Sequence, residues 1–261
     1  MSDPLELDDV VAGYGGAPVV RGVSLSVPAG QVTTIIGPNG CGKSTLLRVL
    51  ARLLRPSSGQ VLLDGEPIGR LRTRELATRL AMLPQNPVAP EGMTVADLVA
   101  RGRQPHQPWY RQWSHEDEQI IEDAMRSTGV ADLADRPLDE LSGGQRQRAW
   151  IAMTLAQQTD IVLLDEPTTH LDLAHAVEVL DLVMRLRRDT GRTIVIVLHD
   201  MNLAARYTDR LVVLKDGAVL AEGTPRDVLA PALLAEAFGL EAHVFEDPAQ
   251  GLPTVVPVRH G

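Results

Sequence analysis

The chain is poor in several residue types, and each shortage excludes something. It carries one cysteine, Cys41, in 261 residues, so neither an intramolecular disulfide nor a cysteine-rich zinc site can form. Aromatic residues make up 3%, which leaves the core to Leu, Val, Ile and Ala. No apolar run approaches the ~18–20 residues that span a bilayer, and Thr193–Leu198 is typical of the longest. The opening MSDPLELDDV is acidic and lacks the basic-then-apolar order of a signal peptide, so the expectation is a soluble, cytosolic chain. Net charge is -9 with no block of basic residues. A phosphate-backbone binder shows a basic face, so no nucleic-acid partner is expected. Lysine is scarce too: of 25 Lys+Arg only Lys43 and Lys215 are lysines, which leaves 23 arginines. A position that keeps lysine in such a chain is informative. The remainder, 44% hydrophobic and 23% charged, is a globular composition with length for one large domain or a domain with an insert.

Hydrophobic patterning divides the chain. Leu5–Val11 and Val19–Val27 alternate apolar and polar residues as half-buried strands do, with Gly13, Gly15, Gly16 and Pro18 turning between them. Val32–Ile36 is an apolar strand followed by a glycine loop, and Lys43–Leu54 reads as a helix stopped by Pro56 and Gly59. Val61–Leu63 and Leu80–Leu83 are short strands. Strand signals then fade from about Asn86 to Gln158, where Thr94–Arg101, Glu116–Thr128 and Gln145–Gln157 look helical. Strands resume at Ile161–Leu164, Thr193–Leu198, Leu211–Leu214 and Ala218–Ala221. A long helix, Leu173–Asp189, lies between the first two and is stopped by Gly191. Strands alternating with helices predict an α/β fold, a mostly parallel sheet with helices on both faces, interrupted by a helical insert.

The loop Gly37-Pro38-Asn39-Gly40-Cys41-Gly42-Lys43-Ser44 fits G-x-x-x-x-G-K-[ST] and sits between a strand and a helix, the setting that pattern requires. Glycines let backbone N–H groups turn inward around a phosphate, and the helix start adds its unpaired N–H groups and positive dipole end. Lys43 is a compact charge able to reach β- and γ-phosphates, and Ser44 can place its hydroxyl on Mg²⁺. The pattern predicts a nucleoside-triphosphate site.

Two carboxylates, Asp165 and Glu166, close the buried strand that begins at Ile161. Ligands of open α/β sheets bind at the C-terminal strand ends. Asp165 suits a Mg²⁺ shell, directly or through water, and Glu166 can polarise an attacking water. Gln85, following Leu80–Leu83, is either a second metal or water contact or a polar loop residue. His199 follows Thr193–Leu198 and leaves the sheet at the same end; it is placed to hydrogen-bond a γ-phosphate and sense its loss.

A second anion site follows from Leu141-Ser142-Gly143-Gly144-Gln145. Ser142 is an N-cap type and the two glycines bare backbone N–H groups at a helix start. A simple P-loop kinase has no use for a second such start. The motifs run in the order Tyr14, the 37–45 loop, Gln85, Leu141–Gln145, Asp165–Glu166, Leu171–Asp172 and His199. In that order, over essentially the whole chain, the sequence resembles the ATP-binding cassette (ABC) family.

The resemblance implies a P-loop NTPase (RecA-like) core, an N-terminal antiparallel β subdomain and an inserted helical subdomain. The core would be 1–85 and 159–261, and the insert 86–158, within one domain of 1–261. It implies ATP and Mg²⁺ as cofactors, with Tyr14 stacking on adenine; the alternative is a core tyrosine. The nucleotide would be held by Gly37, Pro38, Asn39, Gly40, Cys41, Gly42, Lys43, Ser44 and Thr45. Ser142, Gly143, Gly144 and Gln145 would contact the nucleotide of a partner chain, with Asp172 in the loop crossing to that chain. Ser44, Gln85 and Asp165 would serve the metal, and Glu166, His199, Lys43 and Gln85 catalysis. Gln85 would also couple the γ-phosphate site to a membrane partner. Two ATP sandwiched between head-to-tail copies imply a homodimer.

Within the family the finer likeness is to importers of ferric siderophores, the ferric-enterobactin type especially. It rests on Gly102–Pro108, His115–Glu118, Asp139–Ala156, Asp165–Asp172 and Asp247–Pro257. This implies membrane permease subunits as partners, indirectly a siderophore-binding protein, and a peripheral place on the cytoplasmic face of the cell membrane. Vitamin B12, haem or another chelated metal are the alternative cargoes. A soluble, non-transport ABC ATPase is the second reading, and a nucleotide-binding regulator without turnover the third. Trp109, Tyr110 and Trp113, grouped with Arg103 and Arg111, either pack within the insert or meet the permease. Cys41, beside Lys43, is expected to make the site sensitive to thiol alkylation, with ATP protecting.

Overall fold

The computed structural model describes residues 3–107 and 114–258. In chain order they form β1 (Leu5–Ala12), β2 (Val20–Val27), β3 (Val32–Ile36), α1 (Lys43–Leu50), β4 (Ser58–Leu63) and β5 (Glu66–Pro67). Then come α2 (Thr73–Arg79), β6 (Leu80–Leu83), α3 (Val95–Arg101), α4 (His115–Ser127), α5 (Gly143–Ala156), β7 (Ile161–Asp165) and α6 (Leu173–Thr190). The chain closes with β8 (Thr193–Val197), α7 (Met201–Arg206), β9 (Arg210–Lys215), β10 (Ala218–Gly223), α8 (Pro225–Val228), α9 (Pro231–Phe238), β11 (Ala242–Glu246) and β12 (Pro253–Pro257). Two compact units divide at Arg70/Leu71 and at Arg192/Thr193.

The first unit joins the chain up to Arg70 with the chain from Thr193 onward. Its β1 lies antiparallel between β2 and β4, the small antiparallel sheet that the family resemblance implies. The ladder is bulged at Asp9, whose φ of 45° is left-handed and whose amide donates to Ser24 Oγ at 3.0 Å. Its second sheet region runs β8, β3 and β9 in parallel, with β10 antiparallel on β9. β3 and β8 are buried at every residue, which is why neither alternates apolar with polar residues and the only polar side chains in them are the buried Thr33, Thr34 and Thr193.

α1 ends four residues before the expected Leu54. Arg52 takes a φ of 56°, and the amides of Leu53 and Leu54 turn back to the Arg48 carbonyl at 2.8 and 3.0 Å. Those bonds satisfy one carbonyl the helix end would leave open. Of the two lysines, Lys215 closes β9 by donating to the Glu236 carbonyl of α9 at 2.7 Å, a structural tie.

The second unit, Leu71–Arg192, holds the parallel pair β6–β7 and the helices α2 to α6. α3, α4 and α5 bury Leu98, Val99, Ile121, Met125, Ile151 and Leu155. At their centre Arg103 is 5% exposed. Its guanidinium donates to Asp117 Oδ1 at 2.8 Å, the Ala156 carbonyl at 2.9 Å and Gln158 Oε1 at 2.9 Å. The structure therefore gives Arg103 to packing. Trp109, Tyr110, Arg111 and Trp113 lie outside the described residues. Among the described residues no helix is long and apolar enough to cross a membrane.

Candidate nucleotide site

In the first unit the loop 37–42 leaves the C-terminal end of β3 and runs into α1. Two glycines are needed there for different reasons. A Cβ on Gly37 would lie 2.2 Å from the Leu214 carbonyl oxygen, so the loop's close approach to β9 admits no side chain. Gly42 has φ 106°, a region that costs residues with a Cβ on the order of 1–2 kcal/mol. Gly42 is also the N-cap of α1, and no side chain caps that helix. The first-turn N–H groups therefore lack the side-chain oxygen that usually accepts from them, the kind of helix start that takes an anion.

Lys43 is 5% exposed. Its ammonium is held by the carbonyls of Gly37 and Pro38 at 2.9 and 3.0 Å, so the charge sits inside the loop it follows. Cys41 is 6% exposed. Burial pushes its thiol pKa up, against the opposing pull of the Lys43 charge.

Tyr14 is 58% exposed, which excludes the core-tyrosine alternative. Its hydroxyl accepts from Arg48 Nη1 at 2.8 Å, which ties the ring's position to α1. His199 is exposed and follows β8, the parallel neighbour of β3, in register from Val32/Ile194 to Ile35/Val197. The glycine loop and His199 thus leave the same edge of the sheet from adjacent strands. Asp200 then caps α7 by accepting from the Leu203 amide at 2.8 Å.

In the second unit, β6 and β7 run parallel from Leu80/Ile161 to Leu83/Leu164, so Gln85 and the carboxylates Asp165 and Glu166 emerge at one edge. Asp165 is 1% exposed and Glu166 8%. Glu166 has a φ of 52°, a conformation glutamate adopts only when its surroundings impose it. Gln85 Nε2 donates to Glu166 Oε2, and Thr169 Oγ1 donates to the same oxygen at 3.1 Å. Gln85 is thus bonded to the Glu166 carboxylate. A carboxylate oriented by an amide and a hydroxyl at a strand end is equipped to accept a proton from water.

Ser142 caps α5 reciprocally with Gln145: its amide donates to Gln145 Oε1 at 3.0 Å and its Oγ accepts from the Gln145 amide at 3.3 Å. Ser142 and Gly143 are exposed and Gly144 is buried. Asp172 caps α6 and accepts from the amide and the imidazole Nδ1 of His175 at 2.9 and 2.8 Å. Those two bonds hold its carboxyl below the usual carboxylate range. Sequence reading passed over His175, because its only signals were an unremarkable spacing from His170 and a place one turn after an N-cap.

The ABC transporter family description matches residues 20–169. The chain belongs to the ABC transporter family. It is 49% identical over 261 residues to the petrobactin import ATP-binding protein FpuD of Bacillus anthracis, covering 100% of this chain and 95% of that protein. It is 48% identical over 251 residues to the ferric enterobactin transport ATP-binding protein FepC of Escherichia coli (strain K12), covering 96% and 93%. Among solved structures it resembles a chain of an ABC transporter in an inward-facing conformation, with a TM-score of 0.86 at 27% identity, covering 99% of this chain and 98% of that one. These likenesses extend the ABC assignment well past residues 20–169.

Proposed function

We propose that the chain is the ATP-hydrolysing subunit that powers import of a ferric siderophore through a membrane ABC transporter. The observation that carries this reading is the full-length likeness to two import ATP-binding proteins, joined to a P-loop that opens an uncapped helix. Those relatives serve different siderophores by name, as expected for a subunit that drives the machine without touching its cargo. The subunit works at the cytoplasmic face of the cell membrane, as a homodimer on permease subunits that receive cargo from a siderophore-binding protein.

The residue roles follow from chemistry. In the core, 1–85 and 159–261, the loop from Gly37 to Thr45 wraps the phosphates with N–H groups, Lys43 adds charge, and Tyr14 offers its exposed ring to the base. The donors suit Mg²⁺: Ser44, Gln85 and Asp165 would supply oxygen atoms to it, and among the described residues no group of three His, Cys, Asp or Glu forms a protein cage. Magnesium is held by one or two carboxylates together with substrate phosphates, and when bound it neutralises phosphate charge. Glu166 takes the proton of the attacking water. His199 hydrogen-bonds the γ-phosphate and registers its departure. Gln85 links Glu166 to the loop that faces the permease. In the insert, 86–158, Ser142, Gly143, Gly144 and Gln145 present an anion-binding helix start to the nucleotide of the partner copy.

The test is iron uptake in cells whose own copy is deleted. The wild-type gene restores uptake of a ferric siderophore. Glu166→Gln does not, although the purified variant binds ATP and dimerises while turnover falls by about 10²–10⁴. Normal turnover by Glu166→Gln removes that residue from the mechanism. Normal uptake without the gene removes the transport role.

A further inference from the structure

The Ser142–Gly144 turn (the signature turn) carries residues assigned to the partner's nucleotide, the loop that follows Glu166 carries Asp172, assigned to cross to that chain, and one side chain joins them. A Cβ on Gly144 would fall 2.7 Å from His175 Cδ2 and 3.2 Å from its Cγ. The Cδ2 side of the imidazole therefore closes on Gly144 in the α5 first turn, where a Cβ would force it to shift. The other side of that ring is committed: Nδ1 bonds Asp172 Oδ1 at 2.8 Å, and the His175 amide bonds the same oxygen at 2.9 Å. Gly143 meets Leu171 at 3.7 Å from the position its Cβ would take. One turn further along, Arg148 of α5 pairs with Glu178 of α6 at 2.7 Å.

From this contact set we infer that His175 is a positioning residue: a spacer whose ring sets the distance between the Ser142–Gly144 turn and Asp172, and so presents both to the second subunit as one rigid surface. The inference rests on the reading that this turn contacts the partner's nucleotide. His175 itself touches no nucleotide. Its removal leaves ATP binding by the single subunit intact, because the P-loop is unaltered. It weakens the ATP-driven association of two subunits, because the helix start and Asp172 lose their fixed spacing.

The experiment uses the full chain in a Glu166→Gln background, which accumulates the ATP-bound dimer, and reads two quantities. One is the affinity of the monomer for ATP. The other is the ATP concentration that gives half-maximal dimer by size-exclusion chromatography with light scattering. With His175→Ala the first is unchanged and the second rises by about tenfold, the loss expected for a hydrogen bond to a charged group. His175→Asn keeps a side-chain donor at the Nδ1 position and recovers most of that loss. Gly144→Ala pushes the ring away and weakens dimerisation as well. Combined with His175→Ala it adds little, since the added methyl then meets only the Cβ at position 175, an ordinary van der Waals contact at 3.5 Å. Ser142→Arg serves as the control for the underlying reading and abolishes dimerisation. If Ser142→Arg dimerises normally, the signature-turn reading fails. If Ser142→Arg blocks dimerisation while His175→Ala matches the parent, the spacer role fails alone. Fully additive defects in the double variant overturn it equally.

Discussion

The buried Arg103–Asp117 pair gives the sharpest stability forecast. Replacing Arg103 by Met keeps most of the side-chain volume but removes three hydrogen bonds, to Asp117, Ala156 and Gln158. The Asp117 side chain, 11% exposed, is left charged and without its cation. Breaking one partner of a buried pair costs about 3–5 kcal/mol, a large share of the ~5–15 kcal/mol that holds a domain together. With a urea slope near 3 kcal/mol/M, the midpoint falls by more than about 1 M. Adding Asp117→Asn restores about 2 kcal/mol or more, since the orphan charge disappears while Ser114 can still bond the amide oxygen. The acid dependence has a definite sign. Burial alone would raise the Asp117 carboxyl, but hydrogen bonds from Arg103 and Ser114, with the Arg103 charge, hold it below its ordinary value. A lowered carboxylate stabilises above its unfolded pKa, near 4. That contribution is lost as pH falls through the folded value. The gap between wild type and Arg103→Met is therefore full at pH 7 and shrinks below about pH 4. Urea titrations at pH 7 and pH 3.5 check both points. A penalty under about 1 kcal/mol at pH 7, or one that grows in acid, refutes the reasoning.

Three further outcomes are expected. Lys43→Ala weakens ATP binding by about 10–100-fold, the worth of a charged hydrogen-bonding group, and abolishes hydrolysis. Titration calorimetry showing a near-native affinity contradicts the role given to its ammonium. Cys41 reacts with iodoacetamide at least about tenfold more slowly than free cysteine at pH 7.5, because burial raises its pKa and only the thiolate attacks. The rate climbs as pH passes 9, modification blocks ATPase activity, and saturating ATP slows it; a rate equal to that of free cysteine removes the argument. Asn202→Ala deletes both bonds that seat β12 on α7, Nδ2 to the Val255 carbonyl at 3.2 Å and the Val255 amide to Oδ1 at 2.8 Å. It costs about 1–3 kcal/mol, read as faster amide exchange across Ala242–Glu246 and Pro253–Pro257, and unchanged exchange there counts against the clamp.

Much of the fold was legible because its decisive elements carry strong local signals. β3, β7 and β8 are short runs dominated by Val, Ile and Leu with no alternation, and the structure begins each at the residue expected. The three main helices of the insert were found within a residue or two, since Thr94, Ser114 and Ser142 each build a capping box. Illegible were elements held by tertiary contacts. α2 buries only Leu76, and so shows no period. The β11–β12 hairpin has proline at both ends of its second strand, which argues against a strand, and it is seated instead by Asn202. At the site, the phosphate loop and the Asp165–Glu166 strand end could be read from residue types and spacing alone. The left-handed backbone of Glu166, the grip of Gln85 on it and the ring of His175 against Gly144 depend on folding. No spacing rule brings residues 85 and 166 together.

The bare start of α1 also bears on engineering. A Ser, Asp or Asn placed at position 42 is the kind of substitution that gains roughly a few tenths of a kcal/mol over glycine at ordinary helices. Here its Cβ would be forced into a backbone region suited to glycine, and its oxygen would occupy the very amides that await a phosphate. A thermostabilisation campaign guided by helix statistics would thus lose both catalysis and stability at this single residue.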